Sequence, residues 1–353
     1  MTFDPHHYVP VLKVKPGEKR ALRAVESSHR PRITPLLEIV ERKADRAVDA
    51  HLNTAFKGLA DSIASYSRCF LDARELEDDG PEAAEEVFQR ASSAGIVFTP
   101  VTGISRTVDL GAALGHHDNG IALRLTREEL ERGNLSEDLR AFLSLYGLRP
   151  EGTDLIIDLG PVDEMIVDGV AALTTAFLAA VPHHQRWRTL TVSACAFPKS
   201  MGVVTRDSHS LVERAEWIAW RDHLHARRNS LVRLPAFSDC AIQHPTGVED
   251  FDFRTMQVSA SIRYALSEAW LLVKGHSTRI TRPGHQFPDL ATRLVYGHLR
   301  TEFAGPAHCE GCRSIKAAAN LAEGFGSAEV WRRLGTIHHI AMVMQGLASL
   351  PWP

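Results

Sequence analysis

Charged residues recur near the carboxyl ends of short apolar segments along this chain. Residues 153–160 form one such segment, which is apolar between Asp154 and Asp158 and then breaks at Gly160. A carboxylate or a basic group at such a position can transfer protons or bind an anion once several segments bring their ends together. The residues of this kind are Lys13, Glu38, Asp72, Arg74, Arg124, Asp158 and Asp239.

These residue types suggest two roles. Lys13 and Arg124 could hold a phosphate or carboxylate group, whereas Asp72 and Asp158 could take a proton or bind a divalent ion. The alternative is that the charges only neutralise one another, since burying them unpaired would be costly.

A second group of candidate residues lies in residues 331–339. If Thr336 caps the last helix, the free N–H groups at the helix start form an anion site. His338 or His339 could then act as an acid or base near neutral pH. The alternative is a capped helix whose histidines pack against the rest of the fold.

Two smaller motifs are also candidates. Asp239 and His244 lie close together in the chain, although a turn fixed by the following proline explains them equally well. His308, Cys309 and Cys312 form a CxxC motif with an adjacent histidine. A structural zinc site usually needs a second pair of ligands, so no metal site is predicted.

Composition excludes several classes of protein. The 353 residues are 44% hydrophobic and 24% charged, which is typical of a globular chain. The net charge of −3 gives no overall basic field for nucleic acid. The chain lacks the P-loop, GxSxG and HExxH motifs and any apolar run long enough to cross a membrane. We therefore expect a cytoplasmic protein that does not associate with membranes.

Short apolar segments alternate with amphipathic ones in about eight units of roughly 30 residues. This number and length of units predict a (β/α)₈ TIM-type barrel. The alternative is a doubly wound sheet, but the first turn has no GxGxxG motif. In a barrel of this kind the candidate residues would meet at the carboxyl ends of the strands. The first seven predicted strands are residues 8–14, 33–39, 69–74, 96–101, 120–125, 153–160 and 189–194. The eighth is irregular, with residues 231–235 leading toward residues 241–242.

The pattern changes after the eighth predicted strand. Residues 259–265 and 269–274 predict an antiparallel hairpin, and residues 288–300 and 314–321 predict helices. We interpret the final helix, which starts near 327 or 336, as the closing helix of the barrel. The predicted organisation is a barrel over residues 1–246, a hairpin and helical insertion over 247–326, and a closing helix over 327–353.

Several segments resemble the beta protein family, which occurs in bacteria, phages and mobile elements. The similarity spans nearly the whole chain, through residues 8–13, 35–38, 238–239, 244–245, 262–264, 331–332, 335–336 and 338–339. The chain departs from the family's pattern at Ile337, where an Asn is expected. The resemblance implies that certain residues match family motifs, without assigning them roles: Lys13, Glu38, Asp239, His244, Arg263, Trp331, Arg332, Thr336, His338 and His339.

The leading hypothesis is a barrel with a site for an anionic, phosphate-bearing ligand and acid–base or hydrolytic chemistry. The acid–base groups would be His338, His339, Asp158 and Asp72. The ligand-binding residues would be Lys13, Glu38, Arg124, Asp239, His244, Arg263, Arg332 and Thr336. The sequence identifies no cofactor.

The alternative hypothesis is a non-catalytic recognition subunit of a phage-related or antiviral defence assembly. The hairpin and the basic C-terminal third would then contact a partner protein or nucleic acid. The arginines concerned are Arg279, Arg282, Arg293, Arg300, Arg332 and Arg333.

Overall fold

Eight parallel strands close into a barrel in the order β1-β2-β3-β4-β5-β6-β7-β9, so the predicted TIM-type fold is confirmed. The computed structural model describes residues 3–4, 6–246, 259–277, 286–321 and 326–351. The described strands are β1 (Tyr8–Lys13), β2 (Leu36–Glu38), β3 (Cys69–Asp72), β4 (Phe98–Thr102), β5 (Ile121–Leu125), β6 (Thr153–Pro161), β7 (Thr189–Cys195), β8 (Ser208–Glu213), β9 (Ala236–Asp239), β10 (Ser259–Ala265) and β11 (Ala269–Ser277).

Local signals place several of the helices that surround the barrel. Pro16 and Pro81 occupy first-turn positions, where the missing N–H costs no hydrogen bond. Thr126 and Glu129 form a capping box. The described helices are α1 (Pro16–Ala24), α2 (Val48–Phe56), α3 (Leu59–Ile63), α4 (Pro81–Ser93), α5 (Leu110–Gly115), α6 (Arg127–Leu130), α7 (Leu135–Leu145), α8 (Val167–Ala180), α9 (Ala215–Ile218), α10 (Gln286–Val295), α11 (Glu310–Ala319) and α12 (Ala328–Ser349).

The barrel strands are short and buried on both faces. In β6, every residue from Thr153 to Leu159 is buried. Side chains alternate along a strand, so Asp154, Ile156 and Asp158 face the barrel interior while Leu155 and Ile157 face the helices. Parallel strands covered on both sides need such apolar runs, which is why the sequence marks them clearly.

A second sheet lies beside the barrel and joins two apolar cores. Its order is β10-β11-β8, with β11 in the middle and antiparallel to both neighbours. The predicted hairpin of β10 and β11 is therefore confirmed, with a third strand added. Trp270 and Leu272 of β11 belong to the barrel core. Leu271 and Val273 face the other way and pack with α10, α11 and α12 in a second core.

Two sequence-based boundaries are wrong. The sequence pattern predicts a helix over residues 211–227, but its first residues belong to β8, which alternates in exposure and pairs with β11. The helical part starts at α9 and continues as a π-helical segment over Ala219–His225. The eighth barrel strand lies within the predicted segment between residues 231 and 242 but is limited to β9. It does not reach residue 241, because Ala241 has a left-handed backbone with φ of 51°.

Candidate functional site

Five charged side chains from five strands meet inside the carboxyl end of the barrel, and we call this set the charged network. Lys13, Glu38, Asp72, Arg124 and Asp158 end β1, β2, β3, β5 and β6, or lie near those ends. The Arg124 guanidinium is at the centre. Its nitrogens lie 2.6 Å from Glu38 Oε1, 2.9 Å from Asp72 Oδ2 and 2.7 Å from Asp158 Oδ2. The sequence therefore identified residues that the fold brings together.

Pairing keeps two carboxylates of the network, Glu38 and Asp72, ionised. Burial alone would raise the pKa of Glu38, but Arg124 and Lys13 outweigh it and lower the pKa to about 2. Burial opposes ionisation of Asp72 too, yet Arg106 and Arg124 hold its pKa well below the usual range. Carboxylates with such low pKa values are weak bases at neutral pH.

Two loop residues complete the network, although the sequence pattern did not indicate them. Arg106, from the loop after β4, lies 2.8 Å from Asp72 Oδ1 and also contacts Asp109. Glu75 follows β3 and lies 3.4 Å from Lys13 Nζ, which is also 2.8 Å from Glu38 Oε2. The sequence positions of Arg106 and Glu75 could have identified them, because both residues lie in loops that follow the carboxyl ends of barrel strands. With these partners the network has no surplus of positive charge.

Arg74 lies at the exposed edge of the same network. Its Nη1 atom is 3.9 Å from Asp158 Oδ2, and its Nε atom is 3.5 Å from Glu75 Oε1. Ion pairs this long and this exposed contribute little to stability. Arg74 therefore borders the network without closing it.

A group of cations does have surplus charge, and we call it the basic rim. It consists of Lys13, Lys15, Arg263 and Arg332, from β1, the turn after β1, β10 and α12. All four side chains are partly exposed. Burial lowers the pKa of Lys15; Glu18 opposes this, while Arg332, Lys13 and Arg263 lower the pKa further. The four cations therefore lie within electrostatic range of one another.

Arg263 carries the clearest sign of this crowding. Burial together with Arg332 lowers the pKa of Arg263 to about 10. Its guanidinium donates a hydrogen bond to the Ile242 carbonyl at 2.8 Å and lies 5.1 Å from the centre of the Phe197 ring. Among the described residues, the side chains of Lys15 and Arg332 form no hydrogen bond or ion pair. The sequence pattern indicated Lys13, Arg263 and Arg332 but not Lys15, which lies on a turn.

The structure places Asp239 and His339 between the barrel and α12, outside the charged network. His339 Nε2 lies 2.8 Å from Asp239 Oδ2, and the Tyr8 hydroxyl donates a hydrogen bond of 2.5 Å to Asp239 Oδ1. All three side chains are buried. Burial lowers the pKa of His339, although Asp239 opposes this. The arrangement anchors α12 to the barrel.

The proposed helix cap at Thr336 is wrong. Helix α12 begins at Ala328, so Thr336 lies inside the helix, where its backbone N–H belongs to the helical ladder. His338 is also interior to α12 and faces the second core, where its Nε2 lies 2.8 Å from the Ala265 carbonyl oxygen. It has no contact with the charged network.

His244 occupies a separate position after β9. Its Nε2 atom lies 3.5 Å from Asp163 Oδ1, and its Nδ1 atom lies 2.8 Å from the Thr246 hydroxyl. Burial lowers its pKa, while Asp163 opposes this effect. These contacts describe a fixed turn, which is the alternative that the sequence offered.

The arginines proposed for partner binding are dispersed. Arg279 and Arg282 lie outside the described residues. Arg293 pairs with Asp207 at 2.5 Å, and Arg300 is exposed. Of the arginines in this set that the structure describes, Arg332 alone belongs to the basic rim.

A second buried charge cluster lies at the amino end of the barrel and was not predicted. Asp154 accepts hydrogen bonds from Arg68 at 2.6 Å and from Thr189 at 2.6 Å, and it also contacts Arg188. TIM barrels carry their sites at the opposite end, so we assign this cluster to stability. Asp154, a carboxylate at the start of β6, was the feature of the sequence that could have predicted this cluster.

These features define a TIM barrel with a paired charge network inside its carboxyl end and a basic rim beside it. The chain belongs to the Beta protein family, whose model matches residues 8–345. No curated protein matches the chain. Among the described residues, no helix has both the length and the apolar character to cross a membrane.

Proposed function

We propose that the protein binds an anionic, phosphate-bearing ligand at the basic rim. The observation that carries this proposal is the pair of partly exposed cations, Lys15 and Arg332, which have no side-chain partner among the described residues. Arg263 adds further positive charge within electrostatic range, whereas Glu38 and Glu75 balance the charge of Lys13. Cations held close together repel one another, so a bound anion would stabilise the arrangement.

Two helix starts support the same site. Helix α1 begins at Pro16 and α12 begins at Ala328, and neither has a side-chain hydrogen bond as a cap. The two starts are adjacent, because a Cβ atom on Gly17 would lie 3.4 Å from the Glu329 carbonyl oxygen. Uncapped N–H groups and the helix dipole favour anions, and phosphate in particular.

The charged network supports the rim rather than binding the ligand. Arg124 is only 2% exposed, and three carboxylates already occupy its guanidinium. Glu38 contacts both Arg124 and Lys13, so the network fixes Lys13 at the inner edge of the rim. Arg124 and Glu38 therefore act as positioning residues in this proposal.

The geometry supports binding more than proton transfer. Glu38 and Asp72 have lowered pKa values and are held ionised by neighbouring cations. His339 is buried against Asp239, and His338 is buried in the second core. A general acid or base needs to reach the reacting group, and neither histidine contacts the rim.

Calorimetric titration tests the proposal with inorganic phosphate, pyrophosphate, a nucleoside triphosphate, a sugar phosphate and citrate as probes. The rim variants are Lys15→Gln and Arg332→Gln. The controls are Lys57→Gln and Arg140→Gln, which remove exposed charges that have no side-chain partner in the described part of the chain. A charge-assisted hydrogen bond contributes about 1.5–3 kcal/mol, so each rim variant should bind about tenfold more weakly or worse.

We expect at least one phosphate compound to bind the unaltered protein, with an affinity that falls as salt is added. The control variants should retain that affinity. Tighter binding of citrate than of every phosphate probe would reject the ligand class. Equal affinities in the rim and control variants would reject the site.

A further inference from the structure

Two cysteines and two histidines that are distant from the charged network form a compact group, which we call the Cys/His cluster. His308 and Cys309 precede α11, Cys312 lies in its first turn, and His338 comes from α12. Both cysteines and His338 are buried, and His308 is partly exposed. The long separation in sequence explains why the CxxC motif alone appeared incomplete.

Donor atoms of three members of the cluster lie close together, and the fourth member, Cys312, contacts His338. One ligand atom from each of His308, Cys309 and His338 lies within 4.8 Å of the others. Cys312 Sγ lies 3.2 Å from His338 Nδ1, and Cys309 Sγ lies 3.9 Å from the same nitrogen. Neighbouring ligands of a tetrahedral zinc ion are about 3–4 Å apart, given bond lengths of about 2.0–2.3 Å.

His308 contributes a buried nitrogen atom that lacks a hydrogen-bond partner in the part of the chain that the structure describes. The Nε2 atom of His308 is shielded from solvent and has no hydrogen-bond partner among the described residues. A buried polar atom without a partner costs free energy, so such atoms in native proteins usually have a bound ion or water. This nitrogen supplies an observation independent of the CxxC motif.

The surrounding groups orient the ligands. His338 Nε2 lies 2.8 Å from the Ala265 carbonyl, which holds a proton on that nitrogen and leaves Nδ1 directed at the sulfurs. The Cys312 backbone N–H donates to Cys309 Sγ at 3.3 Å, and the Tyr264 hydroxyl lies 3.3 Å from Cys312 Sγ. Such contacts typically stabilise thiolates and fix imidazoles around metals.

We propose that His308, Cys309, Cys312 and His338 bind a structural Zn²⁺ ion. Two thiolates and two imidazoles are the donors of a closed Cys₂His₂ site, and the two thiolates neutralise the ion. The site would join the start of α11 to the middle of α12. It revises the sequence-based expectation that the chain has no metal ligands, and it does not depend on the proposed ligand at the basic rim.

The test uses the full chain, purified without chelators and dialysed against metal-free buffer. We expect elemental analysis to find about one zinc ion per chain, as for a closed four-ligand site. Removing the metal with a chelator should lower the melting temperature, and zinc but not magnesium should restore it. Bound zinc should also protect Cys309 and Cys312 from alkylation in peptide mapping.

Single substitutions separate a metal site from a packing defect. Cys309→Ser and His338→Gln should abolish stoichiometric zinc, but both residues are buried and these variants risk misfolding. His308→Ala changes a partly exposed ligand. Tyr264→Phe removes a hydroxyl that contacts Cys312 and also accepts a hydrogen bond from the Ala304 N–H at 2.9 Å. Both variants should weaken zinc affinity by about tenfold or more. Cys69→Ser and His117→Ala, which lie outside the cluster, should retain full zinc content.

Two results would overturn the proposal. One is a folded chain that retains well below one equivalent of zinc after incubation with the metal. The other is a Cys309–Cys312 disulfide in protein alkylated directly from reducing cells, which would indicate redox chemistry at the CxxC motif instead.

Discussion

Arg124 forms ion pairs with three carboxylates at the carboxyl end of the barrel and so allows them to be buried. Its guanidinium contacts Glu38, Asp72 and Asp158 at 2.6–2.9 Å. The strand-end pattern was sufficient to predict this meeting, because parallel strands bring their carboxyl ends to one edge. Lys15 and Arg106 could not be predicted in the same way, since turns and loops have no periodicity that fixes the direction of a side chain.

Arg124→Gln should therefore destabilise the fold strongly. It leaves buried carboxylates without their shared partner, and breaking a buried ion pair from one side costs about 3–5 kcal/mol. Urea unfolding at pH 7 measures the change. Arg140→Gln, on the exposed face of α7, should change the free energy of unfolding by less than about 0.5 kcal/mol. A loss below about 1 kcal/mol for Arg124→Gln would contradict the central role of this residue.

Glu216 should make stability depend on pH. Burial raises its pKa to about 8; Arg214 opposes this shift at 3.7 Å, and Asp239 adds to it. The folded state therefore holds a proton that the unfolded chain releases above its ordinary pKa of 4.5. The contribution of Glu216 to the free energy of unfolding therefore has its full value below pH 4.5. That contribution is lost as the pH rises toward 8.

Glu216→Gln should remove that dependence. We expect the variant to gain stability relative to the unaltered protein between pH 5 and pH 8, by about 1–3 kcal/mol. Urea unfolding across this range measures the difference. The conclusion fails if the two proteins show parallel stability curves, because Arg214 would then hold Glu216 ionised.

Helix α12 shows how tertiary packing overrides a local signal. Thr336 resembles a helix cap in sequence, yet it lies eight residues after the first residue of the helix. At the adjacent Gly335, α12 packs closely against β10. A Cβ atom at that position would lie 2.7 Å from the Arg263 carbonyl oxygen and 2.9 Å from Ile242 Cδ1. The close approach of α12 to β10 therefore requires glycine.

Gly335→Ala should destabilise the protein by about 1–3 kcal/mol, because the steric strain exceeds the gain in helix propensity. Gly169→Ala in α8 is the matched control, since its Cβ would have only ordinary contacts beginning at 3.5 Å. That control should be neutral or stabilising by up to about 1 kcal/mol. Thermal unfolding of both variants provides the comparison, and equal effects would show that α12 can move away from β10.

At the scale of the whole molecule, the described residues form two apolar cores that share β11. Trp270 and Leu272 pack into the barrel, and Leu271 and Val273 pack with α10, α11 and α12. The sequence predicted the barrel and the hairpin because each has its own periodicity. It did not predict β8, since the partner of that strand is β11, about 60 residues later along the chain.

Shared packing predicts that the two cores unfold together. Leu271→Ala should lower the free energy of unfolding by about 2–5 kcal/mol while leaving a single transition. Leu211→Ala, at a position that is 62% exposed on β8, should have little effect. Calorimetry with tryptophan fluorescence as a second probe measures both properties. Separate transitions in the two signals would show that the second core is an independent unit.

The position of β11 also limits how the polypeptide can be shortened. Phe197, in the loop after β7, packs edge-on against Trp270 at 5.3 Å between ring centres. A recombinant fragment that stops after β9 would lose this cover and the partners of β8, and it would expose apolar surface and an unpaired strand edge to solvent. Such a fragment would be prone to aggregate, although its eight barrel strands are all present.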